Sequence, residues 1–236
     1  ANLKRPCKFS CTVNAITYNE YGISVIDKEK CIRCGKCIHS CPFGAIASKT
    51  FIVPVIEALK AGKHVYAMAA PATEGQFGVD ITMASWKKAM KEMGFTDFYD
   101  VGLGGDMTAA YEAEEWAEAY KEGNKKVTSC CPAFVNMVRL HYPELAECVS
   151  TTVSPMCAIS RLIKAKDPEA ITVFIGPCVA KKSEVADQKI EGNADYVLTY
   201  SEIRAMMKAK GVELQPCAND DQTASTFGKR FANSGG

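Results

Sequence analysis

Cysteine spacing is the first feature of this sequence able to do chemistry. Residues 31–42 read CIRCGKCIHSCP, a C-x2-C-x2-C-x3-C-P run at Cys31, Cys34, Cys37 and Cys41. Three thiolates at that spacing wrap the corners of one iron-sulfur cubane, and the fourth reaches across to a second cluster where two are present. A structural zinc site instead wants paired C-x2-C knuckles set well apart, which this run lacks. Upstream, RPCKFSCTVNAI repeats the second half of the pattern, with Cys7 and Cys11 aligned on Cys37 and Cys41 and NAI aligned on GAI. Cys11 then completes the cluster of Cys31, Cys34 and Cys37, while Cys7 joins Cys41 at the other. The two remaining ligands of that other cluster fall on Lys4 and Ala1, which cannot serve. One or two 4Fe-4S clusters are therefore expected: the second is either vestigial or, the favoured reading, completed by sequence lost from a shortened N-terminus.

A second group stands at VTSCCPAF, where Cys130 and Cys131 are adjacent and a proline follows. Neighbouring cysteines cannot easily bridge each other across a trans peptide, because disulfide geometry is strict. The pair calls for a metal, a redox or a catalytic role, or else for chance. Cys178 stands just after the apolar run AITVFIG, in the stretch GPCVAKKSE.

The elements that must position these residues follow from hydrophobic periodicity. Six of the twelve cysteines fall within residues 7–41 and the rest are spread from Cys130 to Cys217. That division predicts a small α+β ferredoxin-like module over residues 1–50 and a larger domain over 51–236. Helices are predicted at 51–62, 81–94, 109–123, 132–143, 154–166, 181–189 and 201–211, and strands at 64–71, 98–104, 125–129, 170–176 and 195–200. Strands alternating with helices of this length imply α/β architecture built from parallel βαβ units. Ligands gather at the carboxyl ends of parallel strands. The strand at 125–129 would deliver Cys130 and Cys131 there, and the strand at 170–176 would deliver Cys178.

Composition excludes several classes. With 28 basic and 27 acidic residues the formal charge is +1, so nothing global favours nucleic acid or an anionic membrane surface. No apolar run approaches the roughly 20 residues of a membrane helix, and the first residues lack the apolar stretch of a signal peptide. A cytoplasmic location is expected, in an anaerobic or protected setting, since twelve cysteines there read as metal or iron-sulfur ligands rather than disulfides.

TSCCPAF at 128–134 and GPCVAKKSE at 176–184 resemble the first two of three signature motifs of the FeFe-hydrogenase catalytic domain. Phe134 stands where that family usually has tryptophan, and Gly176 where it usually has methionine. The resemblance covers essentially the whole chain, module included. It implies an iron-sulfur oxidoreductase catalysing reversible H2 formation at an H-cluster, a 4Fe-4S cubane joined through a cysteine sulfur to a diiron unit carrying CO, cyanide and a bridging dithiolate amine. By resemblance Cys131 and Cys178 are cubane ligands and Cys130 is the thiol that exchanges a proton with the bridging amine. Lys181 is the lysine that hydrogen-bonds an iron-bound cyanide. Glu184, Ser150, Glu115 and Glu112 fall where the family has the polar groups of its proton route. A ferredoxin or similar electron carrier, H2 and protons, and maturation proteins are the implied partners. The family's third motif, a glutamate-led C-x3-C stretch with the remaining cubane thiolates, is absent. The terminal FGKRFANSGG resembles the segment that precedes it. These 236 residues are therefore expected to be a fragment or one half of a complex, and would not hold a stable H-cluster alone.

The residues themselves agree with that division of roles. A metal ligand must be a thiolate, whereas a proton shuttle must pass through its thiol form, so adjacent cysteines can divide the work. Glu112 and Glu115, three apart, share a helix face; the competing reading is a solvated acidic surface, given Glu114 and Glu118 nearby. Lys181 without its motif would read as a surface lysine beside Lys182. A hydrogen-sensing relative, a non-catalytic iron-sulfur assembly factor and an electron carrier are the alternatives; assembly factors generally keep only one cysteine in the first motif. Cys148, Cys217, Met83 and Met156 read as packing residues, Cys157 as packing or as a lining of the metal pocket, and His39 as solvent-facing or as tuning a cluster potential. GLGGDM at 102–107 fails as a dinucleotide loop because Met107 occupies the third glycine position.

Overall fold

The computed structural model describes residues 5–218 and 224–233; the expectations for Ala1, Lys4 and the terminal glycine pair lie outside the described residues. In the cysteine-rich segment, helix α1 (Pro6–Ser10) precedes an antiparallel pair, β1 (Ile16–Tyr18) and β2 (Ser24–Ile26), and the one-turn helix α2 (Lys36–His39). The two halves of the internal repeat take one local shape. Cys11 Sγ accepts the Ala15 N–H at 3.2 Å and Cys41 Sγ the Ala45 N–H at 3.3 Å. Each bond follows a left-handed residue, Asn14 at φ 53° and Gly44 at φ 62°. Glycine enters that region freely and asparagine more readily than most residues, so NAI and GAI can build the same turn.

The chain then runs through α3 (Ile52–Lys60), β3 (Val65–Ala69), a 3-10 turn at Pro71–Thr73, α4 (Met83–Glu92), β4 (Asp97–Asp100) and α5 (Gly102–Lys121). After α6 (Pro132–His141) and a 3-10 turn at Pro143–Cys148 come α7 (Pro155–Lys166), β5 (Ile171–Gly176), α8 (Lys181–Glu184), β6 (Tyr196–Thr199), α9 (Tyr200–Lys210) and α10 (Thr226–Arg230). Strands β3 to β6 form one parallel sheet in the order β4-β3-β5-β6. Alternate residues of β3 serve opposite faces: Val65, Ala67 and Ala69 join Trp86, Met90 and Ile203, while Met68 joins Ile159, Ile163 and Phe174. Helices thus cover both faces, with α4 and α9 on one and α7 on the other. The chain leaves β3 for β4 on one side and returns to β5 on the other, so a topological switch point lies between the carboxyl ends of β3 and β5.

Four sequence expectations fail here, the first three for physical reasons. The strand predicted at 98–104 stops at Asp100, and α5 starts at Gly102, seven residues before the helix predicted at 109. The glycines that looked like breakers serve close packing: a Cβ on Gly104 would lie 2.3 Å from the Pro155 carbonyl oxygen, and one on Gly102 would lie 2.4 Å from the Ala224 Cβ. The strand predicted at 125–129 is a single parallel bridge, Val127 to Val149, outside the sheet. Val127 is the only apolar residue in KKVTS, so the run has no face to bury. The vicinal cysteines therefore do not follow a sheet strand; Cys178, two residues past β5, does. The helix predicted at 181–189 closes after Glu184. Cys157, Met83 and Met156 are buried core residues, and Cys217 is exposed.

The connector between module and sheet is gripped from the domain side. Lys182, buried, donates from Nζ to Ser48 Oγ at 3.1 Å, to the Lys49 carbonyl at 2.8 Å, and to Glu202 at 2.7 and 2.9 Å. Glu202 also closes the capping box of α9, accepting the Thr199 N–H at 2.7 Å. Burial acts to raise the Glu202 pKa, but the Lys182 ammonium and the Thr199 N–H outweigh it and hold the carboxyl below its ordinary value of 4.5. A folded pKa below the unfolded one gives stability that is complete above 4.5 and lost as pH falls through the folded value. Melting temperature is therefore expected to fall more steeply with acid in the parent than in Glu202→Gln. Equal slopes would show that this pair contributes nothing.

Candidate metal centre

In the module, Cys31 and Cys34 lie on the loop before α2 and Cys37 lies in α2 itself. Burial pushes the Cys37 thiol up, and the neighbouring Cys31 and Cys34 add to the shift by like-charge repulsion. Sulfur ligands this close repel one another once deprotonated, a repulsion that a cationic iron-sulfur core would offset. Cys11 ends α1, which packs against α2, the helix carrying Cys37. Cys7 is buried with Sγ 3.8 Å from Ser24 Oγ, and Cys41 is half-buried. Among the described residues no group of three or more His, Cys, Asp or Glu side chains is placed to hold a single metal ion. His39 is exposed.

In the larger domain, three loops converge. Cys131 is the N-terminal cap of α6, with Pro132 in the first turn where its missing N–H costs nothing. Its side chain is exposed, whereas Cys130 is half-buried and its thiol is pushed up by burial, against an opposing pull from Thr128 and Lys181. Lys181 ties the two cysteine loops together. Its Nζ donates to the Cys130 carbonyl at 3.1 Å and pairs with Glu184 Oε2 at 2.7 Å, while its backbone N–H bonds the Cys178 carbonyl at 3.3 Å. Both side chains of the ion pair are buried, and Ser154 Oγ donates to the other oxygen of Glu184. Lys181 is thus no surface lysine.

The acidic helix divides by face. Glu112 and Glu115 turn inward while Glu114 and Glu118 are exposed, so the reading of a uniformly solvated surface does not hold. Glu112 Oε1 accepts Thr128 Oγ1 at 2.9 Å and the Ser129 N–H at 3.2 Å, and Thr128 Oγ1 in turn accepts the Cys130 N–H at 3.3 Å. Glu115 accepts the Thr151 N–H at 3.1 Å and the Thr151 hydroxyl. Burial acts to raise the Glu115 pKa, but hydrogen bonds from Ser150 and Thr151 outweigh it and hold the carboxyl below its ordinary range. Ser150 is buried, and its Oγ accepts the Thr152 N–H at 3.1 Å. Every larger-domain site residue predicted from sequence therefore lies in this one region. Beside it a cavity of about 350 Å³ is lined by Ser129, Ser150, Thr152, Ser154 and Glu184, with an Arg139 to Asp187 ion pair of 3.5 Å in its wall. Sequence reasoning missed Thr128, Ser129, Thr151 and Ser154, which orient the glutamates. Their signal was the pair of hydroxyl runs, TS at 128–129 and STTVS at 150–154.

Residues 63–236 match the model of the iron only hydrogenase large subunit, C-terminal domain. The chain belongs to the iron-only hydrogenase large-subunit family. Residues 24–47 match a 4Fe-4S binding domain, in keeping with the module's cysteine spacing. Among curated hydrogenase relatives, iron hydrogenase 1 of Clostridium pasteurianum is 31% identical over 78% of this chain and 43% of its own length. The periplasmic Fe hydrogenase large subunit of Nitratidesulfovibrio vulgaris is 32% identical over 80% of this chain and 58% of its own. An apo FeFe-hydrogenase HydA1 from Chlamydomonas reinhardtii, a cysteine-to-histidine variant, superposes with a TM-score of 0.59 at 25% identity, covering 68% of this chain and 48% of that one. The chain thus spans about half the length of the hydrogenases it matches. No helix among the described residues is long and apolar enough to cross a membrane.

Proposed function

We propose that the polypeptide carrying this chain interconverts H2 with two protons and two electrons at an H-cluster. The observation that carries the reading is the hydrogen-bonded assembly around Cys130: Lys181 on its carbonyl, Glu112 reached through Thr128, and Cys131 and Cys178 on the adjoining loops. Cys131 and Cys178 would hold the cubane as thiolates, a donor set soft enough for iron-sulfur chemistry. When bound, the H-cluster supplies the redox-active iron at which H2 is made or split. The chain's own residues do the rest. Cys130 holds a proton on Sγ, and its raised pKa favours the thiol over the thiolate, as a proton carrier beside a metal ligand requires. Glu112, bonded to Thr128 and Ser129 of the cysteine loop, and Glu115, bonded to Ser150 and the more exposed Thr151, would supply the proton route. Lys181, neutralised on one side by Glu184, presents a cationic donor to anionic ligands of the site.

Cys11, Cys31, Cys34 and Cys37 would hold the module cluster, which would supply one-electron transfer from a ferredoxin or similar carrier, and Cys7 and Cys41 would serve a second cluster where one is present. Assembly of the diiron unit requires maturation proteins. A cytoplasmic setting is part of the same proposal and is supported by the cysteine spacing, which suits cluster ligation rather than disulfides; the Nitratidesulfovibrio relative is named periplasmic. The test is hydrogen evolution by the complete, matured polypeptide with a reduced low-potential donor. Turnover is expected, and inactivity of a protein shown to carry its clusters would refute the reading.

A further inference from the structure

The ferredoxin-like module meets the larger domain through residues 30–35 and the connector. Asn136 Nδ2 donates to the Ile32 carbonyl at 3.4 Å, His141 Nε2 lies 2.9 Å from the Lys30 carbonyl, and a Cβ on Gly35 would stand 2.1 Å from Val179 Cγ2. Helix α1 and the β1–β2 hairpin take no part in these contacts and build a face of their own. There Arg5 Cζ and Lys8 Nζ lie 4.7 and 5.0 Å from the centroid of one ring, that of Tyr18. Arg5 Nη1 also donates to Ser24 Oγ at 3.3 Å, and a Cβ on Gly22 would stand 3.7 Å from its Nη2, so the guanidinium lies against the hairpin tip. Two cations sharing one ring repel each other, yet among the described residues neither forms an ion pair; Glu20, the carboxylate of the tip, pairs with neither. The imbalance extends to the whole module. Residues 1–50 carry 8 Lys and Arg against 3 Asp and Glu, a charge of +5, which leaves −4 for residues 51–236 of a chain at +1. Beside the cations the tip is apolar and fixed. Asn19 Oδ1 accepts the Tyr21 N–H at 3.1 Å and the Ile23 N–H at 2.8 Å, and the Gly22 N–H bonds the Asn19 carbonyl at 2.9 Å. That knot leaves Tyr21 79% and Ile23 61% exposed.

We propose that this face, Arg5, Lys8 and Tyr18 with Tyr21 and Ile23, is the docking surface for an acidic electron-carrier protein. Carboxylates of the partner meet the two unpaired cations, and its apolar rim covers the tip. The inference rests on the functional reading above and adds to it the surface and the charge that select the carrier. Tyrosine and arginine are the side chains that most often anchor an interface, and a tip already knotted by Asn19 loses little freedom on binding. Opposite charge speeds the encounter and excludes cationic competitors, at the cost of sensitivity to salt. Cys7, between the two cations in sequence, has its Sγ 3.8 Å from the same Ser24 Oγ that Arg5 contacts, so a carrier seated here lies beside a proposed cluster ligand.

The test uses the complete, cluster-loaded polypeptide and, as probe, an oxidised acidic two-cluster ferredoxin, so that binding is read without turnover. Titration calorimetry at low and at physiological salt gives Kd, and amide hydrogen exchange maps the covered residues. The parent is expected to bind more weakly as salt rises and to gain protection over residues 17–25. Tyr21→Ala should weaken binding about thirtyfold, the scale of an interface anchor. Lys8→Glu should weaken it about tenfold and flatten the salt dependence. Lys88→Glu, an exposed site on α4, is the control and should bind as the parent does. Iron content and hydrogen evolution from reduced methyl viologen, which needs no protein docking, should be parental in all three variants; if Lys8→Glu loses iron, Tyr21→Ala decides. The proposal is overturned if the parent does not bind the ferredoxin, if binding ignores salt, or if Tyr21→Ala binds as the parent does. It is also overturned if Lys88→Glu weakens binding as much as Lys8→Glu, or if a basic c-type cytochrome or the polyanion heparin binds this face as well as the ferredoxin. A parent that binds the ferredoxin yet evolves no hydrogen from viologen refutes the functional reading and keeps the docking surface, whereas turnover with viologen and no ferredoxin binding does the reverse.

Discussion

Replacing Cys130 by serine is expected to lower hydrogen turnover by about 10²–10⁴-fold, the usual contribution of a positioned acid-base group. Cluster content should not change. Serine keeps the shape and the hydrogen-bonding capacity of the side chain, but its hydroxyl is far too weak an acid to pass a proton at the rate a thiol does. The loop itself survives the exchange, because its contacts run through the main chain: the Cys130 N–H bonds Thr128 and the Cys130 carbonyl accepts Lys181. Iron analysis and the iron-sulfur absorbance of the matured variant separate a proton-transfer defect from an assembly defect. Full turnover in Cys130→Ser would remove the shuttle from this residue.

Lys181→Met is expected to cost stability and turnover together, for two separable reasons. The Lys181 and Glu184 side chains are only 11% and 8% exposed and are paired at 2.7 Å. Removing one partner of a buried ion pair strands the other, a loss of about 3–5 kcal/mol. For a protein of this size that is a drop in melting temperature of roughly 10 °C. Lys181→Met combined with Glu184→Gln should recover most of that stability, since a neutral amide can still accept from Ser154. Turnover should stay low in the double variant, because the anchor on the Cys130 carbonyl and the cation facing the site are both still missing. Parental melting behaviour in Lys181→Met alone would show that the pair contributes nothing.

What the sequence revealed and what it hid follow from one distinction. Spacing and periodicity report local geometry. The four-cysteine run, the repeat of NAI on GAI, the alternating faces of β3 and the placement of Cys178 after β5 were therefore readable. Contacts between distant segments were not. The glycines at 102–105 looked like a break because a helix interior disfavours glycine, yet the Pro155 carbonyl and Ala224 need the space beside them. KKVTS looked like a strand by position alone; the ladder that would have confirmed it is missing, and Glu112 holds the cysteine loop instead. The inward turn of Glu112 and Glu115 depends on hydroxyls 16 and 36 residues away in sequence, which no pattern on the helix itself announces.

The same distinction explains the module. Its cluster loop was evident from cysteine spacing, but the reason for glycine at position 35 emerged only when Val179 was seen against it. Lys182 had no role assigned from sequence, whereas in the fold the two lysines point to different places, Lys181 toward the Cys130 loop and Lys182 toward the connector at Ser48 and Lys49.

Infrared spectroscopy of the complete, matured polypeptide tests most directly whether this chain builds an H-cluster site. Bands from iron-bound CO and cyanide are expected in the parent and should disappear in Cys178→Ala, which removes a proposed cubane ligand. A matured parent without those bands, or a Cys178→Ala variant that keeps them unchanged, would contradict the assignment.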